Sequence, residues 1–253
     1  MAESFLVQFR LQGYAKKYAW WAWARTLQEA QKLGVKRLKQ PRFVSHVTLF
    51  GPAETNNLRQ VIKEVERIGR RYAPVYFQLG GFDRFRNPYA NWLYLDIQPS
   101  SDLEKLRNEL AQSLCRSERM IYDTCQPHDR GSRYCRLHCS IGKCAPGDRG
   151  KFEKLCEYAE TKCTLETFRQ HNASVFGRLL HIIKKYVFRV GEDDPRISLY
   201  LLRITVLARG SRIQAEYDLV LRRLLSREEA LSRYWYRKTI ENFGERKMRR
   251  RSI

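Results

Sequence analysis

Acidic side chains are the minority charge in this sequence. Its 253 residues carry 27 Asp and Glu against 48 Lys and Arg, a formal net charge of +21. That imbalance excludes an acidic surface and favours a polyanionic partner, with nucleic acid first. Long apolar runs are also missing. No stretch reaches the about 18 residues that a membrane helix needs, and the longest candidate, residues 197–208, is interrupted by Arg203. The opening Met1-Ala2-Glu3-Ser4 lacks the basic start of a signal peptide. These absences lead us to expect a soluble, cytoplasmic protein with no membrane partner, a monomer in the simplest case. A third absence concerns cysteine. Cys115, Cys125, Cys135, Cys139, Cys144, Cys156 and Cys163 include no C-x-x-C pair, the usual zinc signature. Their odd number argues against a secreted disulfide scaffold. Buried or free thiols are expected, and a zinc site built from Cys125, His128, Cys135, Cys139 and Cys144 is the alternative.

What is present can build a core. Apolar residues make up 43% and aromatics 12%, which excludes a wholly disordered chain. The positive charge is distributed. Residues 1–50 hold nine Lys and Arg with two acidic residues, and residues 226–253 hold nine with four. A broad basic surface fits contact with a phosphate backbone better than a localisation tag does.

The pattern along the chain is mixed. Residues 4–11 alternate as a strand, and residues 14–33 read as a helix with Trp20, Trp23, Leu27 and Ala30 on one stripe. Residues 42–50 form a strand closed by Gly51-Pro52, after which Thr55 caps a helix. The order then recurs. Strands are expected over 75–85 and 92–97, and a capping box at Ser101 opens a leucine-rich helix. A strand over 134–142 follows, then a helix capped by Asp148. Further on come a buried strand over 197–208, a turn, and an alternating strand over 212–221 that completes a hairpin. A second capping box at Ser226 opens a basic helix running to Phe243. Residues 1–225 thus form one two-lobed unit, and 226–253 a basic C-terminal helix and tail.

Two of the five histidines sit in matching contexts. His46-Val47-Thr48-Leu49 and His138-Cys139-Ser140-Ile141 both read H-x-[T/S]-aliphatic, each on the third element of its half. On a strand, residues i and i+2 share a face and lie about 6–7 Å apart. His46 and Thr48 therefore point together, and so do His138 and Ser140. Two imidazoles supply a general acid and a general base near neutral pH. Two hydroxyls can donate to phosphoryl oxygens. This set is suited to metal-free in-line attack on a phosphodiester. The residues alone do not say which histidine is acid and which is base.

These motifs, with His46-Val47-Thr48-Leu49-Phe50-Gly51-Pro52 and the late hairpin of residues 204–221, resemble the two-histidine (2H) phosphoesterase superfamily. Within it they are most similar to the 2'-5' RNA ligase-like and RNA cyclic phosphodiesterase group. The resemblance covers most of residues 1–225. It implies an α+β fold of two lobes, each an antiparallel sheet flanked by helices, around a central cleft. It implies hydrolysis of a 2',3'-cyclic phosphate to a 2'-phosphate, or 2'-5' joining of RNA ends, with RNA as partner and no cofactor. By the same resemblance His46 protonates the leaving oxygen and His138 activates water.

The sequence also departs from the family pattern. Cys135 and Leu137 stand where an aromatic residue and a proline are common, and Lys143 stands in place of an arginine. Lys143 is expected to add charge at the phosphate, although strict alternation points it away from His138 unless a bulge intervenes. Tyr134, Tyr122 and Phe50 are candidate stacking faces for a base. Arg130, Arg133 and Arg136 are candidate phosphate contacts. A non-catalytic RNA-binding protein that keeps the fold is the alternative.

Overall fold

Alternation lays down the strands, and they assemble into two sheets. In the computed structural model, residues 2–35, 38, 45–87, 89–116, 136–172, 197–210 and 212–249 are described. The five-stranded sheet runs β2 (His46–Thr55), β1 (Glu3–Arg10), β7 (Arg203–Ala208), β8 (Arg212–Asp218), β9 (Arg223–Leu225). The four-stranded sheet runs β5 (His138–Cys144), β4 (Ala90–Pro99), β3 (Val75–Asn87), β6 (Ile197–Leu201). Both sheets pair antiparallel throughout. The helices are α1 (Gly13–Lys32), α2 (Leu58–Gly69), α3 (Ser101–Arg116), α4 (Arg149–Lys162), α5 (Leu165–Asn172), α6 (Arg227–Leu231) and α7 (Arg233–Arg249). This is the α+β architecture that the sequence leads one to expect.

One apolar cluster joins the sheets. Phe5, Val7 and Phe9 of β1 meet Phe77 and Leu79 of β3, Leu93 and Leu95 of β4, and Leu103, Leu106 and Leu110 of α3. The Phe9 and Phe77 rings, one from each sheet, lie 4.9 Å apart. Burying side chains of this size contributes about 1.5–3 kcal/mol each, before the cost of ordering them.

Several elements depart from the pattern reading. The buried stripe of α1 is Ala15, Tyr18, Ala19, Ala22, Thr26 and Ala30, whereas Trp20 is 39% exposed. Small residues let the helix approach α4 and β5 closely, and the indoles are displaced to the margin. The N-cap of α2 is Asn57, whose side chain accepts from the Gln60 amide, while Thr55 accepts from the Asn57 amide. The box at Ser226 forms in both halves, but its helix stops at Leu231 and a second helix starts at Arg233.

The expected single strand over 197–208 is two strands in two sheets. Ile197–Leu201 pairs with β3, and Arg203–Ala208 pairs with β1 and β8. The sheet changes at Arg203, and its guanidinium explains why. Arg203 Nε donates to Asp218 Oδ2 at 3.0 Å, and Nη1 reaches Glu216 Oε2 at 3.4 Å. Its Nη2 donates to the Trp235 carbonyl at 2.7 Å and to Thr239 Oγ1 at 2.5 Å. Thr239 donates to Asp218, and Thr205 to Glu216. Arg10 Nε donates to Glu216 Oε1 at 2.9 Å and its Nη2 to the Ala230 carbonyl at 3.1 Å. The acidic half of the polar face of β8, Glu216 and Asp218, is thus buried, whereas Arg212 is exposed. Two guanidiniums and two carboxylates balance, and together they bind α6 and α7 to the sheet.

Breaking a buried pair by removing one partner strands the other charge, at about 3–5 kcal/mol. Arg203→Ala should therefore lower the free energy of unfolding by about that amount. Urea titration followed by circular dichroism measures it.

Candidate functional site

The two H-x-[T/S] segments occupy equivalent strands. On β2, His46 and Thr48 are half-buried on one face, and Val47 and Leu49 are buried on the other. On β5, His138 and Ser140 are half-buried, with Cys139 and Ile141 buried behind them. Residues directly opposite on antiparallel strands share a face. His46 therefore sits beside Arg10 and Thr48 beside Gln8, while His138 sits beside Asp96 and Ser140 beside Tyr94.

The correspondence extends to an irregularity. In β2 the register steps from Thr48 to Phe50 while β1 steps one residue, so Leu49 is extra. In β5 it steps from Ser140 to Gly142 while β4 steps one residue, so Ile141 is extra. Both strands bulge at the third residue after the histidine. A bulge resets the alternation. Lys143, which strict alternation sends to the far face, lies opposite Trp92 and places its Nζ 4.7 Å from that ring's centre. Glycine follows each bulge closely. A Cβ on Gly142 would lie 2.8 Å from Leu38 Cδ1, and Gly51 takes φ +91 where a Cβ would lie 3.0 Å from the Phe5 carbonyl.

The segments are neighbours in space. The backbone of His46 hydrogen-bonds to the thiol of Cys139, the residue after His138. This contact spans the seam between the two sheets. His138 Nδ1 lies 3.0 Å from the Arg136 carbonyl. A carbonyl only accepts, so Nδ1 donates and, in the neutral ring, Nε2 is the basic nitrogen. Around His138 stands a wall that pattern reading did not single out. The rings of Phe85 and Tyr94 lie 5.4 and 5.1 Å from the imidazole, and Phe85 stacks on Trp92 at 5.6 Å. The signal was present in β4. Trp92, Tyr94 and Asp96 take one face and Leu93, Leu95 and Ile97 the other, with Tyr94 itself buried.

Charges beside the histidines are paired. Arg10 is held by Glu216, and Asp96 accepts from Arg136 Nε at 2.9 Å. Arg136 also bonds Asp83. Burial, then the Asp83 carboxylate, pushes the Tyr94 phenol up to about 12, so it stays neutral. Phe50 is fully buried and stacked on Phe5 at 5.8 Å, which makes it a core residue, not a base platform. Arg130, Arg133, Tyr134 and Tyr122 lie outside the described residues. So do Cys125, His128 and Cys135 of the zinc alternative, along with His181. Cys139 and Cys144 are buried thiols, whereas Cys115 is disulfide-bonded, unlike the free thiols expected. Among the described residues no group of three or more His, Cys, Asp or Glu could hold a metal. His171 lies on α5 with its ring 6.1 Å from Trp21. No described helix is long and apolar enough to cross a membrane.

Comparison with known proteins gives the family. A family model described as the 2'-5' RNA ligase superfamily matches residues 18–175, well over half of the chain and inclusive of both motifs. The chain belongs to the 2'-5' RNA ligase superfamily, as the two-histidine resemblance implied. Membership supports an activity of the 2H phosphoesterase or RNA ligase type. Among solved structures, Kluyveromyces marxianus Usb1 with uridine monophosphate is 12% identical. That match covers 81% of this chain and 92% of that one, at TM-score 0.41. E. coli LigT in apo form is 13% identical, covering 82% and 88%, at TM-score 0.43. No curated protein matches the chain significantly.

Burial pushes the Cys139 thiol from its ordinary 9 up to about 12, Cys156 to about 11 and Cys163 to about 12. The unfolded chain loses these protons near pH 9, and the folded chain keeps them. Stability is therefore intact below pH 9 and falls as pH rises toward 12. Calorimetry above pH 9 should show a declining Tm, with a shallower decline in Cys139→Ala.

Proposed function

We propose that this protein opens RNA 2',3'-cyclic phosphates without a metal, using His46 and His138 as acid and base. The observation that carries the reading is the pairing of the two H-x-[T/S] faces. Both present an imidazole and a hydroxyl from a bulged strand, and the His46 backbone touches Cys139 beside His138. The same chemistry with an RNA 5'-hydroxyl in place of water is 2'-5' joining.

In the hydrolytic direction His138 accepts a proton from water at Nε2, with its Nδ1 proton held on the Arg136 carbonyl. The water oxygen bonds to phosphorus in line with the 3'-oxygen. The bond from phosphorus to that oxygen breaks, and His46 delivers its proton there, leaving a 2'-phosphate. Thr48 and Ser140 donate to the non-bridging oxygens, where charge gathers in the transition state. Lys143 adds a cation, brought to the His138 side by the bulge at Ile141 and steadied on Trp92. Arg136, held between Asp96 and Asp83, braces the strand end beside His138. Arg130, Arg133 and Tyr134 remain contacts to test on the RNA.

General acid–base catalysis is worth about 10²–10⁴-fold for each group. His46→Ala and His138→Ala should each reduce turnover of a nucleoside 2',3'-cyclic phosphate by that much, with a strong chelator making no difference. RNA binding without turnover in the unaltered protein, unchanged in both variants, would instead identify a binding module.

A further inference from the structure

The basic C-terminal segment is not a loose appendage. The inner side of α7 is fixed by Thr239 on Asp218, by the Trp235 carbonyl on Arg203, and by Phe243, whose ring lies 5.0 Å from Tyr200 of β6. The helix is thus held by both sheets, since Arg203 belongs to the five-stranded one and Tyr200 to the other.

Its outer side has a different character. Tyr234 is 65% exposed and meets Trp235 edge to face at 5.4 Å. Arg223 lies 4.4 Å over the Trp235 ring, and Lys238 Nζ lies 5.1 Å from it and 6.0 Å from Tyr234. Arg233 and Arg237 are exposed on the same helix. Rings accompanied by cations suit a single strand of nucleic acid, whose bases stack and whose phosphates follow the basic groups. Contacts also link this helix pair to the site: Arg10 stands opposite His46 and donates to the Ala230 carbonyl of α6, which Ser232 joins to α7.

We propose that this outer face of α7 binds the single-stranded RNA chain that leads to the reacting phosphate. Tyr234 stacks a base, Trp235 and the Arg223 paired with Glu229 back it, and Arg233, Arg237 and Lys238 hold phosphates. The proposal rests on the reading of the paired histidines as an RNA-processing site, and it assigns that site a polynucleotide in preference to a mononucleotide.

The test uses the full chain and a fluorescently labelled single-stranded RNA of about a dozen nucleotides ending in an unreactive 3'-phosphate, enough to span several stacking and phosphate contacts. Anisotropy gives affinity without any need for turnover. Tyr234→Ala should weaken binding about 5- to 150-fold, the range for loss of one stacked base. Arg237→Gln with Lys238→Gln should reduce the slope of log affinity against log salt by about 0.7 for each lost contact. Turnover of a nucleoside 2',3'-cyclic phosphate should be unchanged in both, and their Tm values should match the parent. Affinity and salt slope equal to the parent's would overturn the proposal. So would loss of binding to anionic phospholipid vesicles with RNA binding intact. If the parent fails to turn over the mononucleotide, the enzymatic reading falls, while the anisotropy series still decides the patch.

Discussion

The buried ionic cluster of Arg10, Glu216, Arg203 and Asp218 is the constraint on which the five-stranded sheet depends. Each carboxylate is fully buried and each is met by a guanidinium. Such a cluster costs desolvation and is weak evidence for net stability, but it tolerates few alternative arrangements. It fixes where the chain leaves one sheet for the other, because Arg203 can meet its partners only from β7. It fixes α6 and α7 against the sheet through Ala230, Trp235 and Thr239. Through Arg10 it also reaches the strand partner of His46.

The four-stranded sheet reaches a comparable result with other means. His138 is bordered by aromatic rings and by the Arg136 pair with Asp96 and Asp83. Each histidine therefore lies beside an ion pair, one buried and one near the surface. The seam is closed by an uncharged contact. Cys139, buried and protonated, takes the His46 backbone bond and packs its other side into the core. The two halves share an architecture and a backbone irregularity while differing in almost every supporting side chain.

What could be read from the sequence follows the range of the forces involved. The shared face of His46 and Thr48, and of His138 and Ser140, needs only the two-residue period of a strand. The capping box at Ser226 is equally local and forms as its residues dictate. Features set by distant partners were not legible. The bulges at Leu49 and Ile141 are defined by β1 and β4, so no local pattern announces them. The division of residues 197–208 has no proline or glycine to mark it; the marker is Arg203, whose partners Glu216 and Asp218 lie on the next strand. In α1 the large indoles suggested the buried stripe, yet close packing selected alanines. The Trp92, Tyr94 and Asp96 face follows the same alternation that orients the histidines, but aromatic residues on a strand equally suit ordinary packing.

The bulge at Ile141 also sets a rule about chain length. A lysine five residues beyond a histidine has odd parity and belongs to the opposite side of a regular strand. One inserted residue makes the parity even. Straightening the strand at unchanged length would turn the ammonium toward the apolar interior, whereas losing the extra residue together with the bulge would leave it on the histidine side. Residue count and bulge are therefore coupled in this strand and can change only together, a constraint that tallies of residue identity do not register.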